Sequence, residues 1–222
     1  MVLSTLNTDL IPLAIMLGVA IVWAIRAFLK YAVHGSKLAA ACGDKNLLKI
    51  LSSPKQYLPL AKYFQQQQGF DQKYVNAAAA GDCMRLSALE EWCRKMPRCG
   101  DAWLCKGEAY ATWAWQARGG GLGDDVSEED WATFYQRLEQ AWTFLRHAAK
   151  LNTDDPTPWC FMLIICMAHP KLNSYRQACF NKAIERDPES WPAHANMVSA
   201  LMQEWYGEHE EMLDFAYDAA IN

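Results

Sequence analysis

From Asp71 to the C-terminus, apolar residues return every three or four positions, interrupted by Gly, Pro and Asp, and no stretch alternates with the period of two that a half-buried strand requires. The spacing predicts helices over about 71–80 and 83–96, split at Gly81-Asp82 and ended by Pro97, then one over about 101–118 that runs into "RGGGLGDD". Ser127 reads as the N-cap of a long helix reaching about Leu151, with Asp130 as its capping-box partner. Shorter helices follow over about 158–168, 171–187, 190–206 and 208–220, divided by Pro170, Pro188 and Gly207.

The helical segments carry a repeat. Offset by 35 residues, Leu145 aligns with Phe180, Ala148 with Ala183, Met162 with Met197 and Met167 with Met202. "ACFNKAIERDP" has the Phe180, Ala183 and Pro188 spacing of the second helix of a tetratricopeptide repeat. "AWLCKGEAY" places Trp103, Gly107 and Tyr110 at the spacing of the first. The expected fold is therefore all-α, a tetratricopeptide-like array over residues 71–222.

Upstream the pattern changes. "LIPLAIMLGVAIVWAI" (10–25) is uncharged and, extended to Leu29, reaches the roughly 20 residues that cross a bilayer. Residues 1–34 are read as a retained transmembrane anchor, in preference to a cleaved signal peptide, because the n-region carries Asp9 and no positive side chain. Residues 35–70 form a basic neck and connector. From Arg26 to Lys62 there are seven Lys and Arg against the single acid Asp44, whereas from Tyr63 onward there are fourteen against twenty-three Asp and Glu. The basic flank predicts a single-pass protein of a bacterial inner membrane, N-terminus outside and body in the cytoplasm. The acidic body argues against a nucleic-acid partner. The eight cysteines (42, 83, 93, 99, 105, 160, 166 and 179) include no C-x-x-C pair and fit reduced, buried thiols.

Two acidic clusters stand out: Asp124, Asp125, Glu128, Glu129 and Asp130 beside the glycine-rich stretch, and Glu204, Glu208, Glu210, Glu211 and Asp214 near the end. The second surrounds "EWYGEHEEMLDFA" (204–216). It lacks the H-E-x-x-H spacing of a zinc helix, since Leu213 stands four residues after His209. The bland reading is punctuation: Trp205-Tyr206-Gly207 ends one helix with Gly207 as the C′ residue, and the glutamates favour the first turn of the next, whose buried stripe is Met212, Phe215 and Ala216. Gly119, Gly120, Gly121 and Gly123 follow a helix and lead into two aspartates, so they read as a connector and not as a phosphate loop. No catalytic residue, cofactor or metal site is expected.

The C-terminal part, about residues 80–220, resembles a bacterial family of unknown function numbered 4034. The likeness rests on "AWLCKGEAYATWAWQARGGG", on Val126, Glu129 and Phe134, and on a closing signature carried by Trp205, Gly207, Glu210, Met212, Phe215 and Ala216; Tyr206 and Glu208 depart from it. The resemblance implies a helical, tetratricopeptide-like fold. Family members continue past this signature, so a chain stopping at Asn222 is expected to be truncated. An interaction protein is the expected class, with a protein partner bound through the ten acidic residues. Its sharpest form is an immunity protein that neutralises a basic toxin or secretion-system effector. The alternatives are a scaffold for an envelope complex and an enzyme with an acidic site near Glu208–Glu211.

Overall fold

The computed structural model describes residues 44–221, apart from residues 54, 68, 121 and 122. The expected span over residues 10–29 lies outside them. Among the described residues no helix is long and apolar enough to cross a membrane. The described chain is all-helical, without strands: α1 (Lys45–Leu51), α2 (Leu58–Gln65), α3 (Phe70–Cys83), α4 (Leu86–Lys95), α5 (Gly100–Arg118), α6 (Glu128–Leu151), α7 (Thr157–Ala168), α8 (Arg176–Ile184), α9 (Trp191–Ala200) and α10 (His209–Ile221).

The α5–α6 hairpin is the spine. Trp103 meets His147 at one end (ring centroids 4.5 Å apart) and Trp115 meets Phe134 at the other (5.0 Å), so the helices run antiparallel. α3 packs on α5, and α7 packs on α6 and carries α8 and α9 in turn. α3, α7 and α9 are joined in the middle: Tyr74 of α3 stacks on Phe161 of α7 at 4.3 Å, and Asn196 of α9 donates to the Tyr74 hydroxyl (3.1 Å) and to the Cys160 carbonyl (2.9 Å). α7 has no polar face because it is wrapped on all sides; ten of its twelve residues are buried.

Several boundaries differ from the sequence reading, each for a packing reason. The split expected at Gly81-Asp82 falls instead at Met84-Arg85, and Gly81 lies inside α3. A Cβ there would stand 2.6 Å from Glu108 Cγ, so the glycine permits close approach of α3 to α5 and does not break the helix. The helix expected over 171–187 begins only at Arg176. Ahead of it, Asn173 sits in a 3-10 turn and its side-chain amide donates to the Cys166 carbonyl (3.2 Å) near the end of α7. From Asp44 the segment read as a connector is part of the body: Leu47, Leu51, Leu60, Tyr63 and Phe64 join the core, and Phe64 and Tyr57 lie against Trp92 of α4. The seven described cysteines are free; Cys93, Cys105, Cys160, Cys166 and Cys179 are buried.

One charge cluster, buried at Asp155 and half-buried at Lys73 and Asp101, ties three segments together. Lys73 Nζ of α3 lies 2.5 Å from Asp101 Oδ1 of α5 and 2.7 Å from Asp155 Oδ2 in the loop before α7. Asp155 Oδ1 also accepts from the Thr157 N–H (2.9 Å) as α7 begins. Burial alone would lower the Lys73 pKa, but Asp155 and Asp101 outweigh it and the net shift is upward from 10.5. A cation whose pKa rises on folding contributes stability that is complete below the unfolded value and is lost as pH rises through the folded one. Lys73→Met should therefore cost about 3 kcal/mol in a urea titration at pH 7, because it leaves two carboxylates shielded without their cation. In the parent, this component should fade above about pH 10.5, and the variant's stability should change less over that range.

Candidate functional site

The loop between α5 and α6 and the turn after α9 meet at one end of the hairpin. Ser127 caps α6 as its spacing suggested: its hydroxyl accepts from the Asp130 N–H (3.1 Å) and donates to Asp130 Oδ2 (2.7 Å). Glu128, Glu129 and Asp130 thus occupy the first turn, where the helix dipole favours them. Trp131, Phe134 and Tyr135 follow on one face. Trp131 stacks on Tyr135 (5.4 Å) and packs edge-on to Phe134 (5.6 Å); Phe134 meets Trp115, and Trp115 meets Trp205 edge-on at 5.7 Å. The Arg118 guanidinium lies over both Trp131 (5.3 Å) and Trp115 (5.8 Å).

The second acidic cluster arrives at the same place through a tight turn. α9 stops at Ala200, short of the expected residue 206, and a 3-10 turn over Gln203–Trp205 delivers Trp205 to Trp115. The left-handed position is Tyr206 (φ +68), not Gly207 as the pattern suggested. Gly207 serves space instead. A Cβ on it would lie 2.0 Å from the Leu201 carbonyl oxygen, and its N–H donates to the Met202 carbonyl at 3.2 Å. α10 then packs by Met212, which is buried, and by Phe215, which meets Phe180 at 5.1 Å and His194 at 6.3 Å.

All ten acidic residues are exposed. Asp124, Asp125, Glu128, Glu129 and Asp130 lie around the start of α6, and Glu204 adjoins Trp205, so the ring chain from Trp131 to Trp205 links the two clusters. Glu208 precedes α10, while Glu210, Glu211 and Asp214 stand on it. Glu211 is paired with Arg176 (3.3 Å), whose other guanidinium nitrogen donates to the Ala200 carbonyl (3.0 Å) and anchors α10 to α8 and α9. Among the described residues no three His, Cys, Asp or Glu side chains converge to hold a metal ion.

His169, which no motif singled out, is buried beside this cluster, 5.0 Å from the Tyr135 ring, with Nε2 3.4 Å from Glu139 Oε1. Burial lowers its pKa below 6.5, and Glu139 recovers only part of that, so the imidazole is neutral at pH 7. Burial likewise raises the Tyr135 phenol, with Tyr206 adding to the effect. The arrangement is an aromatic and guanidinium patch with carboxylates at its margin. Phe134 is wholly buried in it, and Trp115, Trp131 and Trp205 are partly buried against the core. The chain matches no protein-family model, no curated protein and no solved structure at a significant level.

The turn yields a pair of opposed outcomes. Gly207→Ala should cost about 2 kcal/mol or more by urea titration, because backbone must move to admit the methyl. Tyr206→Asn should be neutral or gain up to about 1 kcal/mol, since Asn tolerates the left-handed region better than Tyr.

Proposed function

We propose that this chain is a protein-binding helical-repeat module that holds a basic partner at the aromatic, acid-margined end of the α5–α6 hairpin, and that it neutralises a toxin or effector in this way. The observation that carries the reading is that two exposed acidic clusters are joined through the ring contact Trp131–Phe134–Trp115–Trp205, in which Phe134 is buried and the three tryptophans remain partly exposed. Protein interfaces concentrate affinity in aromatic and arginine side chains surrounded by polar residues, and a negative margin accelerates association with a positive partner.

Tetratricopeptide-like stacking belongs to the same proposal. It is supported by the burial of both members of every pair offset by 35 residues, from Leu145 and Phe180 to Met167 and Met202. It is supported also by Gly107, which lies against Leu145 as a first-helix glycine would. Membership of the family numbered 4034 is proposed on the signature residues, whose Trp205, Gly207, Met212 and Phe215 together build the closing turn. The anchor over residues 10–29, with the body in the cytoplasm of a bacterial cell, is proposed from the neutral run and the basic flank.

Reversing Glu128, Glu129 and Asp130 to Lys should slow association with a basic partner about tenfold at low salt, and the difference should shrink as ionic strength rises. Trp115→Ala should act mainly on dissociation. The deciding measurement is growth of the host expressing the partner with either the parent or the charge-reversed chain. Protection by the parent alone supports neutralisation. Equal protection, or a partner that is harmless by itself, overturns it and favours an envelope scaffold.

For topology, a reporter fused after Asn222 should be active on the cytoplasmic side, and the protein should stay with membranes through an alkaline wash. A periplasmic signal would reverse the orientation.

A further inference from the structure

Two of the buried thiols touch. Cys166 Sγ, in the last turn of α7, lies 4.0 Å from Cys179 Sγ near the start of α8. A disulfide holds its sulfurs about 2 Å apart, so each would move only about 1 Å to close the gap. Cys160, on the same helix as Cys166, faces the Ser190 hydroxyl instead (3.8 Å).

The pair sits where several elements are fastened. Asn173, in the turn that joins α7 to α8, donates its side-chain amide to the Cys166 carbonyl (3.2 Å). Arg176, three residues before Cys179, pairs with Glu211 of α10 and donates to the Ala200 carbonyl at the end of α9. Phe180, the next residue after Cys179, meets His194 of α9 (5.3 Å) and Phe215 of α10 (5.1 Å). α8 therefore carries contacts to the buried α7 and to α10 at once. A covalent link between α7 and α8 would tighten the seat of both α8 and α10.

In the closed fold the two thiols are protected. Contact with Cys179, with burial adding, raises the Cys166 pKa, and Arg176 opposes only part of that. A protonated, covered thiol is a poor nucleophile. Reaction has to wait until α8 lifts from α7, a local opening open to a nine-residue helix that follows a 3-10 turn.

We propose that Cys166 and Cys179 form a reversible disulfide when the chain meets a peroxide, and that the bond fastens α8 to α7. Peroxide oxidises one thiol to a sulfenic acid and leaves as water. The second sulfur attacks the first, the S–S bond forms, the S–O bond breaks and a second water departs. Two electrons and two protons pass from the thiols to the peroxide, so the step balances. The bond spans 13 residues of chain, restricts the unfolded state and stabilises the fold. In a reducing compartment it would be transient, a record of exposure to oxidant. The inference needs neither a partner nor the acidic clusters, and so stands apart from the interaction reading.

The test treats the reduced full chain, in detergent micelles, with hydrogen peroxide and locates the product by tandem mass spectrometry. The expected product is a Cys166–Cys179 bond that forms faster in urea too dilute to unfold the chain, since opening limits it. The melting temperature should rise by about 5 °C, amide exchange should slow in α8 and α10 but not in α3, and dithiothreitol should reverse both changes. A chain carrying Cys166→Ala and Cys179→Ala should show neither the bond nor the thermal shift. If that variant fails to fold, reversal by dithiothreitol in the parent supplies the same comparison. The proposal is overturned if either sulfur goes to sulfinic acid or pairs with another cysteine in place of the bond. It is overturned equally if both thiols stay free once the half-buried Cys83 and Cys99 are oxidised, or if the bond forms without raising the melting temperature.

Discussion

The bridge from Lys73 to Asp101 and Asp155 joins segments 28 and 82 residues away from it along the chain, and the rest of the arrangement depends on it. It brings α3 against the start of α5 and sets the loop from which α7 departs. α7 in turn is the buried post around which α8 and α9 are laid. Two aspartates against one lysine is an unbalanced ledger in a shielded place, and it is the added donors, the Asn152 amide to Asp101 (3.4 Å) and the Thr157 N–H to Asp155, that make it tenable. Apolar packing alone could hold these helices together. The charges decide which end of α3 meets which end of α5.

Much of the helical plan could be read from spacing, because helix periodicity, Ser127 and the prolines all act locally. What could not be read were boundaries fixed by distant partners. Gly81 resembles a helix stop in sequence and is an interior residue in the fold, since the reason for it is Glu108, 27 positions later. Gly207 resembles a C′ glycine, and the left-handed backbone falls on Tyr206 because the Leu201 carbonyl occupies the space where a side chain at 207 would go. Asp44 to Gln67 reads as a basic, proline-containing connector, and its six core residues are spread too thinly to declare a helical face.

The acidic side of the candidate site was visible as composition; the aromatic side was not. Trp115, Trp131 and Trp205 lie in three different segments, and only folding makes them neighbours.

α10 has its own consequence. It is attached by one buried methionine, by Phe215 and by the exposed pair of Arg176 with Glu211, a thin attachment beside the wrapped core of α7. Such an element opens first in the hierarchy of partial unfolding, with a free energy well below that of the whole molecule. The three cluster acids on it, Glu210, Glu211 and Asp214, are therefore held in place only part of the time. A partner that touches them would slow amide exchange throughout α10, so that contact at one surface would be recorded as order in a helix.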